Sequence, residues 1–335
     1  MNIYQQILSD LEQNHTTILQ TKLRGKAGTI NEGMERFLQR EQEEEENLTK
    51  PTYEINGDLK EHILKEPFYP KERLIVLGGG HVALSLVEFA AKTGFFVILA
   101  DDRPSFANQA RFPLANQVLC ESFDQVFDSI QITPRDYIVI ITRGHRHDTV
   151  CLRQVLKKKE SIYVGMIGSR RRVGAVKELL VKEGYEEERL ERVCTPIGLS
   201  IGAITPEEIA ISILAQMIQR KRLGDRNQTL TNLDIDYAVL KYLAQSDQEA
   251  KCVVTVMSSK GSVPRGAGAK MIVFPTGAIL GSIGGGCSEA TIIRDAIQLI
   301  GSKRYRIQTI DMTNDIAESE GMACGGTMEV LLEDS

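Results

Sequence analysis

The sequence predicts an α/β protein: a doubly wound parallel sheet followed by a second, glycine-rich α/β module. Three observations predict it. Short all-apolar runs, Leu74-Ile75-Val76-Leu77 among them, alternate with helical stretches over residues 71–222. Strands apolar throughout are those buried on both faces of a parallel sheet. The first run leads into Gly78-Gly79-Gly80-His81-Val82-Ala83, a GxGxxA turn between strand and helix that marks the sheet as Rossmann-like. Residues 233–333 then carry Gly284-Gly285-Gly286-Cys287 and Cys324-Gly325-Gly326. Packing does not explain a glycine run ending in a thiol, because glycine forgoes side-chain burial and loses the most backbone entropy on ordering.

In order along the chain, Ile3, Ile7, Leu8 and Leu11 predict an amphipathic helix over Ile3–Asn14, and a strand follows near Thr17–Leu23. The acidic run Glu41–Glu46 reads as a solvated, mobile segment. Residues 1–66 make an N-terminal helix–strand segment. Residues 67–222 are the Rossmann-like domain. A helix over Val82–Lys92 stops at Gly94; strands follow at Phe96–Ala100, Val118–Cys120, Tyr137–Thr142 and Ile162–Ile167, with a helix at Thr149–Lys158. Thr205-Pro206-Glu207-Glu208 is a capping box with proline in the first helical position, and Ile209, Ile213, Ala215, Met217 and Ile218 give that closing helix its apolar face. Residues 223–232 read as a linker.

The second module spans 233–335. It has a helix over Leu233–Gln245, strands Cys252–Met257 and Lys270–Phe274 around a Gly/Ser-rich segment, a helix over Glu289–Ile300 and a last strand Thr327–Leu332. Residues 1–23 and 233–257 share the order helix, polar spacer, strand. Residues 1–66 read either as a degenerate, shortened copy of the second module that lacks the GGGC motif or as a chance recurrence of a common helix–strand unit.

The chain has 335 residues, 42% hydrophobic and 25% charged, the profile of a globular protein with two domains. Forty basic against 45 acidic residues give a net charge of −5, which argues against a general nucleic-acid or anionic-membrane binder. No apolar run approaches the ~20 residues of a membrane span. The start of the chain lacks a signal-peptide pattern, so a cytoplasmic location is expected. Six cysteines (120, 151, 194, 252, 287, 324) include no CxxC pair. They are expected as free thiols with no structural zinc site. A homodimer is the base-rate assembly.

In a doubly wound sheet, ligands bind outside the carboxyl ends of the strands at the switch point. That places Gly78, Gly80 and His81 together with Asp101, Asp102, Arg143, His145, His147 and Asp148. The glycines let a phosphate approach a helix N-terminus, and Asp101 is placed for a ribose hydroxyl. A metal would also explain His, His and Asp. A phosphate or pterin-like anion is favoured because the arginines repel a cation. Gly168-Ser169-Arg170-Arg171-Arg172 after the fifth strand suggests another anion site at a helix start, its alternative being a solvated basic turn. Cys287 and Cys324 stand on bare backbone whose amides suit oxyanions.

These motifs together resemble the xanthine dehydrogenase accessory factor family, the XdhC/CoxI proteins. GGGHVA (78–83), DDRPSFA (101–107), RFP (111–113), YVGMIGSRRR (163–172), PIGLSIGA (196–203) and TPEEIAISILA (205–215) carry the resemblance in the first unit. KGSVPRGAGAKM (260–271), GSIGGGCSEA (281–290) and CGGTMEVLLE (324–333) carry it in the second. The resemblance implies a chaperone that binds molybdenum cofactor (molybdopterin), assists its sulfuration with a sulfur donor protein, and delivers it to a molybdenum hydroxylase. It implies cofactor contacts at Gly78, Gly80, His81, Asp101, Arg143, His145, Ser169, Arg170, Gly284, Gly285, Gly286, Cys287 and Cys324, with the thiol loops facing the sheet edge. The family usually places the GGGC module before the Rossmann unit; here it follows. An NAD(P)-dependent oxidoreductase, with His145 or His147 as acid–base, and a nucleotide-binding scaffold are the alternatives.

Overall fold

In the computed structural model of the protein the described residues are 2–24, 28–40, 48, 50–56, 61–158, 161–223, 236–245, 249–284, 286–312 and 326–335. The acidic run 41–46 and all but residue 223 of the linker lie outside them. Helix α1 (Ile3–Glu12) begins with a capping box: the Asn2 side chain accepts from the Gln5 amide (2.8 Å) and the Gln5 side chain accepts from the Asn2 amide (2.9 Å). Strand β1 (Thr17–Arg24) alternates buried and half-buried residues. It is flanked antiparallel by β3 (Met34–Arg40) and β5 (Glu61–Phe68), and β4 (Thr52–Asn56) adds outside β5. The two-residue β2 (Ile30–Asn31) joins a different sheet.

Strands β6 (Arg73–Leu77), β7 (Phe96–Ala100), β8 (Gln117–Leu119), β9 (Asp136–Ile140) and β10 (Tyr163–Met166) form a parallel sheet in the order β10-β9-β6-β7-β8. The chain reverses its direction of travel across the sheet between β6 and β9, which makes their carboxyl ends the switch point. Successive strand residues feed opposite faces. Ile75, Leu77, Ile98 and Ile138 pack with α4 (His145–Leu156) and α5 (Arg170–Lys182). Leu74, Val76, Val97 and Val139 pack with α2 (His81–Lys92) and α7 (Pro206–Leu223). Burial on both faces is why these strands read as unbroken apolar runs. Short helices α3 (Val126–Ser129) and α6 (Glu187–Glu191) complete this part. The capping box that opens α7 is present: the Glu208 carboxylate accepts the Thr205 amide, and Thr205 Oγ1 accepts the Glu208 amide.

The last region holds α8 (Tyr237–Ala244), β11 (Cys252–Lys260), β12 (Lys270–Val273), β13 (Ile279–Gly281), α9 (Gly286–Leu299), β14 (Tyr305–Asp311) and β15 (Thr327–Asp334). Its sheet runs β13-β12-β11-β15-β14-β2. Ile292, Ala296 and Leu299 of α9 cover one face of it over Val254, Val256, Met271, Val330 and Leu332.

The chain divides into two compact units, Lys71–Thr229 and Met1–Pro70 with Leu230–Ser335. The N-terminal segment shares one core with the C-terminal module: Tyr4, Ile7, Leu19 and Phe68 pack with Val239, Leu240, Val253 and Ile272. Reading along the sequence separates these stretches because the Rossmann-like unit is interposed. Two helices begin earlier than periodicity indicates. Helix α4 starts at His145, because Thr142 Oγ1 donates to Asp148 (2.5 Å) and accepts the Gly144 amide (3.3 Å), tying down its first turn. Helix α9 starts at Gly286, so Cys287 lies in its first turn. Among the described residues no helix is long and apolar enough to cross a membrane.

Candidate functional site

The glycines of the first turn have separate tasks. Gly78 has φ +116°, and its amide donates to the Ala100 carbonyl (2.8 Å). A Cβ there would stand 2.5 Å from the Ile141 carbonyl oxygen, so the β6–α2 turn against β9 admits glycine alone. Gly79 lies against the Phe106 backbone. Gly80 is the N-cap of α2, and nothing stands within 4 Å of where its Cβ would be. Ala83 is fully buried against the sheet. The turn is thus fixed by its first glycine, open at Gly80 and packed at Ala83. His81 is exposed at the first position of α2. An open helix N-terminus at a switch point has free amides that can accept an anion.

Asp101 is almost fully buried. Its oxygens accept the Gly79 amide (2.8 Å), the Arg103 amide (3.1 Å), Arg103 Nε (2.8 Å) and Arg103 Nη2 (2.9 Å). The Arg103 guanidinium in turn lies 3.6 Å from the Phe106 ring centroid. The carboxylate therefore locks the glycine turn to the segment that follows β7. Burial by itself raises its pKa; the hydrogen bonds from Arg103 and the Gly79 amide outweigh burial and hold it below the ordinary carboxylate range. A carboxyl with a depressed folded pKa contributes stability above its unfolded pKa and loses it as pH falls through the folded value. Asp101→Asn is expected to cost about 1.5–3 kcal/mol at pH 7. In denaturant titrations the gap between the two proteins should begin to narrow as pH falls below about 4, the unfolded carboxylate pKa, and close only below the depressed folded value; a constant gap down to acid pH would refute this role.

Asp102 pairs with Arg143 through two contacts, one of 2.8 Å between Arg143 Nη2 and Asp102 Oδ2. His147 is half-buried and stands edge-on to Phe123 at 5.6 Å. Asp148 is buried in the α4 cap. Of the residues read together from sequence, Gly80, His81 and the Asp102–Arg143 pair remain open at the sheet edge, while His147 and Asp148 serve the seating of α4. The His145 and Arg170 side chains lie outside the described ones; both residues open helices at this edge.

A cavity of about 480 Å³ lies beyond β10, lined among others by Gly168, Ser169, Leu199, Ser200, Gly202 and Ser212. Ser169, read as an anion contact, is exposed just before α5. In sequence the loop over 196–203 stands out only as a motif; its lining role emerges from the structure. It is a built loop: Gln216 accepts the Gly198 amide (2.9 Å) and the Tyr163 hydroxyl (2.6 Å), and donates to the Gly198 carbonyl (3.3 Å). The sequence signal was Gly198, which has φ +93° and whose Cβ position is taken by the Ser212 hydroxyl.

In the other unit the thiol loop is equally tight. Gly284 has φ +138° and packs against Pro264; Ser282 Oγ accepts its amide (3.0 Å). Gly286 and Cys287 open α9. Gly285, the Cys287 side chain and Cys324 lie outside what is described. Sequence reading missed Glu289. It is buried in the first turn of α9, with Oε2 3.4 Å from Ser282 Oγ, and its Oε1 has no hydrogen-bond partner among the described residues. A buried carboxylate oxygen needs a donor; a carboxylate two residues after the thiol was the available signal.

Both halves of this geometry have counterparts in known proteins. Residues 74–217 match the family described as the XdhC Rossmann domain, and residues 244–311 match the XdhC and CoxI family. The two matches cover well over half of the chain. The protein belongs to the XdhC/CoxI family. It is 37% identical over 156 residues to a Bacillus subtilis protein described as a probable xanthine dehydrogenase subunit, a match covering 46% of this chain and 45% of that protein. It is 34% identical over 152 residues to "Uncharacterized protein YqeB" of Escherichia coli, covering 45% of this chain and 28% of that one. The matched region thus spans less than half the length of either curated relative. A crystal structure described as a xanthine dehydrogenase from Bacillus halodurans superposes with a TM-score of 0.53 at 26% identity, over 70% of this chain and 66% of that one. In this XdhC/CoxI protein the Rossmann match precedes the other.

Proposed function

We propose that this XdhC/CoxI protein is an accessory factor for a molybdenum hydroxylase of the xanthine dehydrogenase type, which binds molybdenum cofactor as cargo and assists its sulfuration and insertion. One observation carries the reading: a single chain combines an open anion-accepting turn at Gly80 with a glycine-flanked thiol at the start of α9, within the two family matches. The cargo is a phosphorylated, N–H-rich heterocycle bearing a soft metal. The Gly80 turn and α2 suit its phosphate. Glu289 Oε1, which has no hydrogen-bond partner among the described residues, suits a ring N–H. A thiol in the first turn of a helix favours the thiolate and suits molybdenum or a sulfur atom in transit. The cavity beside Ser169 has the size of a heterocycle site.

The strand order and the Gly80 turn would also receive NAD(P). Against that second reading, the Asp101 carboxylate holds Gly79 and Arg103 instead of standing open to ribose hydroxyls. The test is co-expression of a xanthine dehydrogenase-type hydroxylase with wild type, Cys287→Ala and Glu289→Gln. Hydroxylase turnover per bound molybdenum should fall at least tenfold with Cys287→Ala and less with Glu289→Gln, a loss of about 1.4 kcal/mol or more in the handover step. Full turnover with both variants, or NADH oxidation by this chain alone, would contradict the proposal.

A further inference from the structure

The N-terminal segment and the C-terminal module repeat each other strand for strand. In the first, β1 lies between β3 and β5, with β4 outside β5, every pair antiparallel. In the second, β11 lies between β12 and β15, with β14 outside β15, every pair again antiparallel. The registers agree as well as the order. One rung of the first sheet holds Arg36, Thr21, Leu64 and Tyr53; the matching rung of the second holds Lys270, Thr255, Leu331 and Ile307. Two residues along, Leu38, Leu19 and Glu66 answer to Ile272, Val253 and Glu333. Each first strand is entered from a helix, and those helices, α1 and α8, pack on each other.

The contacts between the two stretches are reciprocal. Arg36 forms a salt bridge with Glu333, and its equivalent Lys270 forms one with Glu66 (2.7 Å), the equivalent of Glu333. Thr21 Oγ1 accepts from Arg36 Nε (3.5 Å), and Thr255 Oγ1 accepts from Lys270 Nζ (2.9 Å). A contact of i with j matched by one of j with i is what a twofold axis produces. Chance likeness of a helix–strand pair does not reproduce a four-strand register and two reciprocal ion pairs.

The copies differ in two connections. Residues 312–326 join β14 to β15, whereas only residues 57–60 join the equivalent β4 to β5. Between β12 and β14, residues 274–304 supply β13 and the thiol helix α9; between β3 and β4 there are only residues 41–51. The sheet face under α9 is apolar at Val254, Val256, Met271 and Leu332. The equivalent positions in the first copy are Gln20, Lys22, Phe37 and Lys65, three of them polar, with Phe37 49% exposed. A face without a covering helix has taken residues that tolerate water.

We infer that residues 2–70 are a thiol-less second copy of the C-terminal module, filling in cis the face through which two such modules pair. Each chain then presents one GGGC helix on a twofold unit complete in itself. The partner that fits the face carrying Lys270 and Glu333 is a copy of this same fold. The test uses the full chain, with specific protease sites inserted after Pro70 and within residues 224–229 and cut after folding. Fragments 1–70 and 230–335 should co-elute in equal amounts, with no free 1–70 segment. Lys270→Glu should release that segment, and Lys270→Glu with Glu66→Lys should restore co-elution. Exchanging equivalents, Arg36→Lys with Lys270→Arg, should shift Tm by no more than about 2 °C, the size of a surface substitution. Separation of the unmutated fragments would overturn the inference, as would failure of the reversed pair to restore association or a large loss of Tm on exchange.

Discussion

Gly78→Ala should cost the Rossmann-like unit about 3 kcal/mol or more, enough to lower its Tm by roughly 10 °C. The added Cβ would stand 2.5 Å from the Ile141 carbonyl oxygen and 2.8 Å from Thr142 Cα, both backbone atoms of the neighbouring segment. Neither can swing aside as a flexible side chain could, and φ +116° is itself strained for alanine. Gly80→Ala is the control. Its Cβ meets nothing within 4 Å, so stability should change by less than about 1 kcal/mol while anion affinity falls. Calorimetry with phosphate-bearing ligands separates the two effects. Equal Tm losses from both substitutions would show that the turn does not divide its tasks in this way.

Lys270→Met is expected to be the most damaging single change in the other unit. Lys270 and Glu66 are both buried, their side chains 2% and 4% exposed. Removing the ammonium strands the carboxylate, a loss of about 3–5 kcal/mol. Lys270→Met with Glu66→Leu removes both charges and should recover most of that stability, because an apolar pair avoids the desolvation that the ion pair carries. Denaturant titration of the single and double variants gives the coupling. A single-variant loss below about 1 kcal/mol would place the pair among weak surface bridges.

The centre of the parallel sheet was legible because β6, β7 and β9 are buried on both faces, so four or five apolar residues in a row announce each of them. The glycine turn was legible from spacing, since only a strand–turn–helix junction uses GxGxxA in that way. The task of Asp101 was not. A carboxylate at the end of β7 looks the same in sequence whether it takes a ribose hydroxyl or the Gly79 amide; only the placement of Arg103 and Phe106 decides. Strand β3 was missed because Met34-Glu35-Arg36-Phe37-Leu38-Gln39-Arg40 puts a charge on its buried face, and that charge is satisfied by Glu333, almost three hundred residues away. The start of α4 was missed because His145-Arg146-His147-Asp148 has no apolar periodicity; the Thr142–Asp148 hydrogen bond sets it. The likeness of the N-terminal segment to the second module showed in sequence only as an order of elements. Substitution of the outer face by Gln20, Lys22 and Lys65 erased the rest of the pattern.

The most direct measurement is the molybdenum and pterin content of the full chain purified from a molybdenum-replete host, for wild type, Cys287→Ala and Gly80→Asp. Wild type should carry both in equal amounts, Cys287→Ala should lose the metal, and Gly80→Asp, which sets a carboxylate at the turn proposed for the phosphate, should lose both. A wild-type protein free of molybdenum and pterin but carrying a nicotinamide dinucleotide would contradict the account.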